Sequence, residues 1–442
     1  MTRQKIVIVG GGFGGLNVAY GLRKCDADIT LIDRRNFHLF QPLLYQVATG
    51  GLSPANIATP LRGLLRRSKN VQVVLGEVSN IDPKQNRIFV GQQYYDYDFA
   101  VIAAGAKSSY FGNDSWEKFA PSLKSIEDAT EIRGRVLNAF ELAEKENDPQ
   151  QRKFLMTFVI VGGGPTGVEL AGAISELANQ TLQGDFRSID PSDAKIILLD
   201  AGPRILAAFD PSLSKKACLA LQKLKVEVQV DAKVVDITQR GVNLHIADQP
   251  QSTIQANTIL WAAGVGAVGL AKVISEQSET QTDKAGRLMV NQDLSLGVYT
   301  NLFAIGDIAH AVDKAGKPLP GVAPVAIQQG KYLANMIRKN IPGGDRKPFI
   351  YSSPGNLATI GRSAAVAELG RYKFSGYFAW LVWAVVHILQ ISLMENRLLV
   401  FLQWGWNYVT RNRSARLITS SPTVQQTHTL PAIENGKKNA GV

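Results

Sequence analysis

The strongest constraint on this chain is a short pattern that occurs twice. Lys5–Gly10 (KIVIVG) is an apolar run of the kind buried in a parallel sheet; it ends in glycines, and Phe13–Lys24 then carries helical spacing. The same succession returns at Thr157–Gly162 (TFVIVG) and Pro165–Thr181, so Lys5 and Thr157 correspond across an offset of 152 positions. A second apolar strand follows each helix, at Asp28–Ile32 and at Lys195–Leu199. Strand, helix, strand is the βαβ unit, in which a crossover helix covers a parallel sheet. Two such units predict an α/β chain with two Rossmann-like, doubly wound domains.

The turns between strand and helix carry chemistry. Gly10, Gly12, Gly14 and Gly15 form a GxGxxG with an extra glycine, and Asp33 ends the following strand. Gly162, Gly164 and Gly167 repeat the arrangement, and Asp200 ends the strand KIILLD; an insertion around Leu182–Asp193 accounts for its longer spacing. Glycines let backbone approach a pyrophosphate, and the helix N-terminus offers free N–H groups and partial positive charge. The acid accepts hydrogen bonds from a ribose diol. Two fingerprints imply two dinucleotides, a resident flavin and an exchanging nicotinamide, whose rings must stack for hydride transfer, so the two domains must face each other. An acid at Asp200 favours the free 2′-hydroxyl of NADH over the 2′-phosphate of NADPH.

Composition narrows the class. The 442 residues carry a net charge of +11, which suits anionic cofactors or an anionic membrane surface; without helix-turn-helix, RRM or zinc-finger spacing, nucleic acid is not expected as a partner. Only Cys25 and Cys218 are present, far apart, which excludes a disulfide framework and a CxxC redox pair. No His/Asp/Glu cluster has metal-ligand spacing, so no metal is expected, and His38 and His387 read as background. The first apolar strand begins at Ile6 and leaves no room for a leader, so the expected compartment is the cytosol or another reducing one.

Between the fingerprints, Ser125–Asn147 has the spacing of an amphipathic helix, with Ser125 and Asp128 as a capping box, and Asn147–Lys153 reads as a polar link. Short strands are expected at Val242–Ile246, Thr258–Ala262 and Leu302–Ile305, and a helix at Gly321–Arg338. Thr166 and Glu169 have the spacing of an N-cap and N3 pair. From Gly376 the chain turns aromatic and aliphatic, and from Ser420 it is polar enough to be expected disordered.

With these features the chain resembles the two-dinucleotide-binding-domain flavoproteins. Val101–Ala106, which contains Ala104 and Gly105, is similar to that superfamily's crossover motif before the inserted NAD domain. Leu260–Gly264 is similar to its return motif, and Thr300–Asp307 to its late FAD motif. The resemblance implies that Gly10, Gly12, Gly14, Gly15, Asp33, Ala104, Gly105, Gly306 and Asp307 hold FAD, with Asp307 at the ribityl–phosphate part. It likewise gives Gly162, Gly164, Gly167, Asp200 and Gly264 to NADH. The implied domains are 1–112 with 294–345 for FAD, 113–293 for NADH, 346–418 for membrane association, and a tail over 419–442.

Within the superfamily the chain is most similar to the type II NADH:quinone oxidoreductases, from Lys5 to about Ile418. Phe40–Ala48 (FQPLLYQVA), Gly167–Gly172 (GVELAG), Gly321–Gly330 and the aromatic C-terminal segment carry that likeness. It implies hydride transfer from NADH to FAD and two electrons passed to a membrane quinone, without proton pumping, with the respiratory chain as the expected setting. It implies a role in the reaction for Glu169, and a quinone side built from Ala323, Pro324, Gln328 and Gln329. Gln328 matches the later glutamine of the family's Ala-Gln-x-x-x-Gln motif, and Pro324 stands in place of the earlier one. Arg362 could support the flavin or quinone region or sit in a surface salt bridge. A disulfide reductase or sulfide:quinone oxidoreductase would need the missing cysteine pair. A biosynthetic quinone-intermediate reductase and a non-catalytic FAD/NAD(H) redox sensor are the remaining alternatives.

Quinones reside in bilayers. Gly376–Met394 borders on the length of a membrane span, whereas Arg397–Thr410 is too short for one. Their Trp and Tyr content favours two helices docked on a membrane surface over a single span or a buried dimer-core helix. Arg411, Arg413 and Arg416 follow, placed to meet anionic head groups. The expected state is a peripheral homodimer on the cytoplasmic face of a membrane.

Overall fold

The computed structural model describes residues 3–246 and 250–419; the polar tail expected from Ser420 lies outside them. Along the chain the elements that matter here are β1 (Gln4–Val9), α1 (Phe13–Leu22), β2 (Ala27–Asp33), α2 (Leu44–Ala48), β3 (Val71–Leu75), β4 (Phe99–Ile102) and α3 (Ile126–Lys145). There follow β5 (Thr157–Val161), α4 (Pro165–Glu176), β6 (Lys195–Leu199), β7 (Val226–Gln229) and β8 (Thr258–Trp261). The chain closes with β9 (Ser295–Leu296), β10 (Tyr299–Ala304), α5 (Ala323–Arg338), β11 (Asn356–Thr359), α6 (Tyr377–Gln390) and α7 (Met394–Thr410).

Two sheets follow from the repeat. The first has the order β9-β10-β4-β1-β2-β3 and the second β7-β6-β5-β8. In each, the strand that enters the glycine turn is central and lies parallel to its neighbours, with Ile8 beside Leu31 and Val101, and Ile160 beside Leu198 and Leu260. These strands are buried on both faces, which is why they read as continuous apolar runs. Because β10 joins the first sheet after the second is complete, the second Rossmann unit is inserted within the first. The crossing runs along a two-stranded antiparallel ribbon in which Ala106 faces Ala267 and Ser108 faces Val265. The segments read as crossover and return motifs therefore lead into strands that lie side by side.

The Ser125–Asp128 capping box forms, with Asp128 N–H donating to Ser125 Oγ and Asp128 Oδ2 accepting from Ser125 N–H. The expected polar link 147–153 is instead mostly helical, over Pro149–Leu155, because Asp148 caps it and Phe154 and Leu155 supply a buried face. The longer approach to Asp200 contains a π-helical turn at Leu177–Thr181 and a 3-10 turn at Pro191–Asp193.

The C-terminal region forms two helices, as expected, but the first is partly built into the core. Among the described residues no helix is long and apolar enough to cross a membrane. The first residues of the apolar stretch finish a strand, Tyr372–Gly376, and α6 has 14 residues, or ~21 Å at the ~1.5 Å rise of a helix, against an apolar bilayer core of ~30 Å. One face of α6 is core: Ala379, Trp383 and Ala384 pack with Phe40, Leu43 and residues of both α3 and α4. The other side of α6 and much of α7 is exposed, including Phe378, Leu389, Leu398, Phe401, Trp406 and Val409.

Candidate active site

Each fingerprint turn is a backbone solution to a packing problem. Gly10 and Gly162 have φ of +103° and +111°, and a side chain on either would strike Ala103 O or Ala262 C at 2.3 and 2.7 Å. At Gly15 and Gly167 an added Cβ would sit 1.9 and 1.8 Å from the oxygens of Gly10 and Gly162, so helix and strand close directly on each other. Gly12 and Gly164 differ: a Cβ there meets nothing within 4 Å, and each is the N-cap of its helix with no side chain satisfying the first N–H groups. An open cradle beside free N–H donors fits a phosphate.

The acids close the turns in parallel ways. Asp33 Oδ2 accepts from Gly11 N–H at 2.5 Å and its Oδ1 from Arg35 N–H at 2.7 Å. Asp200 Oδ2 accepts from Gly163 N–H at 2.6 Å and its Oδ1 from Gly202 N–H at 2.7 Å. His38, read from sequence as background, supports the first turn: buried and kept neutral by desolvation, it places Nδ1 3.0 Å from Gly11 O. The late motif is braced as well. The buried Gln329 accepts from Gly306 N–H at 2.7 Å through Oε1, and Lys124 Nζ lies 3.7 Å from Asp307 Oδ2. A lysine therefore offsets the carboxylate that would otherwise face a phosphate chain.

One cavity of about 1370 Å³ connects these parts. It is lined by Gly10, Gly12, Asp33, Gly105, Gly306 and Asp307 on one side, by Ala323 and Pro324 at the start of α5, and by Pro165, Thr166 and Glu169 at the start of α4. Val386, His387 and Gln390 of α6 complete the wall. The open cradle, the uncapped helix and the length of the cavity fit a dinucleotide at the first fingerprint, with room for a second ligand against α4. The residues read for NADH, namely Gly162, Gly164, Gly167, Asp200 and Gly264, do not themselves line the cavity.

Glu169 is not a capping residue. The N-cap is Gly164 and Pro165 opens the helix, so Thr166 and Glu169 sit one residue-pair too far along for the reciprocal bonds of a capping box. Instead Glu169 is half-buried in the cavity wall, largely withdrawn from bulk water, with Thr359 N–H donating to Oε1 at a long 3.5 Å. Burial pushes its pKa up to about 8 against that single weak donor, so it holds a proton at neutral pH. Tyr45, from the FQPLLYQVA segment on α2, is buried close enough that the Glu169 charge raises the phenol further.

Gln328 faces away from this cavity. Its Nε2 donates to Ser352 O at 2.8 Å and its Oε1 accepts from Ser352 N–H at 3.0 Å. Pro324, at the second position of α5, does line the cavity. Among the described residues Arg362 has no salt-bridge partner: its backbone N–H donates to Glu176 Oε1 at 2.6 Å and its guanidinium to Tyr408 O at 2.9 Å. Arg413 and Arg416 are not presented to lipid either. Arg413 is buried against Glu176, Thr49 O and Ala173 O, and Arg416 pairs with Asp185. Sequence reasoning missed Lys124, Thr359 and these arginine contacts, which are long-range pairings with no local signature; the FQPLLYQVA motif was the one available pointer to Tyr45.

Two Rossmann units, one inserted in the other and both contributing to a common cavity, define a class, and the family model for pyridine nucleotide-disulphide oxidoreductases matches residues 4–330. A model for the NDH2 C-terminal domain matches residues 354–411. The Mycobacterium tuberculosis type II NADH:quinone oxidoreductase Ndh is 44% identical over 432 residues, 96% of this chain and 92% of that protein. NdhA of the same organism is 46% identical over 427 residues, 95% and 90% of the two chains. The structure of NDH2 from Plasmodium falciparum in complex with NADH superposes with a TM-score of 0.86 at 22% identity, covering 95% of this chain and all of that one. The chain belongs to the type II NADH:quinone oxidoreductases. A sulfide:quinone oxidoreductase from Aquifex aeolicus shares the fold, with a TM-score of 0.67 at 18% identity over 95% and 93% of the two chains. Here Cys25 and Cys218 are both free, one after α1 and the other in the helix Pro211–Lys223, so no dithiol faces the cavity.

Proposed function

We propose that this chain works as an FAD-dependent NADH:quinone oxidoreductase at a membrane surface, with the two fingerprints dividing the cofactors between them. The observation that carries the reading is the single cavity shared by the first glycine turn, the N-terminal end of α4 with Glu169, and the inner wall of α6. When bound, FAD supplies the two-electron chemistry that links a nicotinamide to a quinone. Gly10, Gly12, Gly14 and Gly15 cradle its pyrophosphate, Asp33 holds a ribose, and Asp307 accepts from a ribityl hydroxyl while Lys124 offsets its charge. Gly162, Gly164 and Gly167 receive NADH in the same way, with Asp200 set against its 2′ position. Glu169 holds a proton beside the reacting rings, and the walls of the cavity keep bulk water out. Ala323 and Pro324 line the quinone side, and Gln329 acts there by fixing the Gly306 turn; Gln328 supports α5 from behind.

The exposed apolar side of α6 and α7 supports docking on a bilayer surface, because a contiguous patch of this kind calls for lipid or a partner. We place the protein peripherally on the cytoplasmic face, as the homodimer the family resemblance implies. A protein that docks without crossing has no path for protons through the membrane, so it does not pump. The test is purification in mild detergent: the protein emerges yellow, is bleached by NADH without oxygen, and recolours on adding a soluble quinone. A colourless protein, or bleaching that quinone fails to reverse, would refute the assignment.

A further inference from the structure

The glycine turns explain how the cavity holds nucleotides but leave unexplained what α6 contributes to its wall. There, His387 Nδ1 lies 2.7 Å from Trp383 O, one turn back. A carbonyl oxygen only accepts, so Nδ1 carries the proton and donates it. Burial lowers the pKa of His387 to about 4, so the ring holds no second proton at neutral pH and Nε2 presents a lone pair. Among the described residues Nε2 has no hydrogen-bond partner, and the residue lines the cavity. The ring cannot turn freely: it stacks on Trp383 at 4.3 Å, and Phe40 meets it edge-on at 6.2 Å. Phe40 in turn packs at 6.0 Å on Phe13, the residue within the first glycine turn. The structure thus holds a rigid group that can only accept, one aromatic ring away from Phe13.

Reduction reverses the hydrogen-bonding sense of a quinone. Its carbonyl oxygens accept, whereas the hydroxyls of the quinol donate. A fixed acceptor gains nothing from the substrate and one bond from the product, so its contribution grows as the reaction advances. The balance is NADH, one proton and quinone giving NAD⁺ and quinol; the imidazole accepts a hydrogen bond and takes up no net proton.

We propose that His387 Nε2 is the acceptor for the hydroxyl of the quinol formed in this cavity, making the site bind the reduced head group more tightly than the oxidised one. The proposal rests on the quinone-reductase reading above. Its test uses the full-length, FAD-loaded protein and a short-tailed quinone and quinol pair. His387→Phe keeps a ring to stack on Trp383 and removes the acceptor. The quinol inhibition constant should weaken roughly tenfold, the size expected for one lost hydrogen bond. Re-oxidation of the reduced enzyme by quinone should slow, while its reduction by NADH stays at the wild-type rate. His387→Gln, which can offer an amide oxygen, should recover part of the loss. Unchanged quinol inhibition and re-oxidation in His387→Phe would overturn the proposal. So would wild-type protein that binds the quinone more tightly than the quinol, a measurement that needs no variant. Wild-type protein that turns over no quinone would instead remove the quinone-reductase reading on which the proposal stands.

Discussion

Arg413 Nη2 lies 3.1 Å from Glu176 Oε2, which ties the C-terminal region to the last turn of the helix that carries Glu169. Glu176 is buried and the Arg413 side chain is only 13% exposed, and Arg413 also donates to Thr49 O and Ala173 O. Removing one partner of such a pair leaves the other charge largely desolvated and without its counter-ion. Arg413→Met should cost about 3–5 kcal/mol of stability. Adding Glu176→Gln to it should recover much of that loss, because no buried charge then remains. Thermal unfolding of the FAD-loaded proteins checks this; a double variant no more stable than Arg413→Met would contradict it.

Glu169 should couple pH to both stability and rate. Its pKa is raised from 4.5 to about 8, so between those values the folded protein keeps a proton that the unfolded chain has lost. The contribution is therefore full below pH ~4.5 and falls by ~1.4 kcal/mol per pH unit until about pH 8. Glu169→Gln removes the titration, so denaturation of the variant should show a shallower loss of stability across this window. If the carboxyl also delivers protons, stopped flow should show slower flavin reduction or re-oxidation in the variant despite retained FAD. Wild-type rates in both half-reactions would leave Glu169 without a catalytic part.

Asp200 should make the enzyme prefer NADH to NADPH by at least roughly tenfold in kcat/KM, or on the order of 1.4 kcal/mol. Both its oxygens also hold backbone N–H groups, of Gly163 and Gly202, so a substitution touches the turn as well as the ribose. Asp200→Asn, which keeps one acceptor, should narrow the preference with a smaller loss of NADH activity than Asp200→Ser. Steady-state kinetics with both nucleotides decide it, and equal efficiencies in the wild type would remove Asp200 from nucleotide selection.

The membrane surface is best tested by point changes. Cutting the chain at Gly376 would remove Trp383, built into the interior, and Arg413, paired with the buried Glu176, and would confound anchoring with unfolding. Phe378, Leu389 and Phe401 are each at least 60% exposed, so Asp at these positions should leave the fold intact. The triple variant should float free of lipid vesicles in sedimentation and lose turnover with a long-tailed quinone several-fold more than with a short-tailed one. Undiminished vesicle binding would place the membrane contact elsewhere.

How much of this was legible depended on the range of each interaction. The paired fingerprints, the central strands and the Ser125 cap are written in residues a few positions apart, where spacing and sterics act alone. Glu169 shows the limit. The local pattern Thr166-x-x-Glu169 suggested a capping box, but Gly164 caps the helix two positions earlier, and Thr359, distant in sequence, supplies the one donor found among the described residues. The arginines after α7 had the spacing of lipid contacts, yet Glu176 and Asp185 claim two of them across more than 200 positions. His387 looked like background because its surroundings are a carbonyl one turn away and a cavity assembled from segments spread along the whole chain.

The position of Trp383 bears on how such a chain can be made. The largest apolar cluster joins Phe40 and Leu43 near the start of the chain to Phe158, Leu198 and Trp383, Ile391 and Val400 near its end. A nascent polypeptide therefore carries an unfinished interior until its final segments leave the ribosome. The first sheet likewise waits for Tyr299–Ala304 before its parallel order can close. The second sheet, complete by Trp261, can close earlier, but the cluster that joins its helices to the start of the chain waits for the last segments. A copy that stops short of α6 therefore lacks both part of that interior and one wall of the cavity.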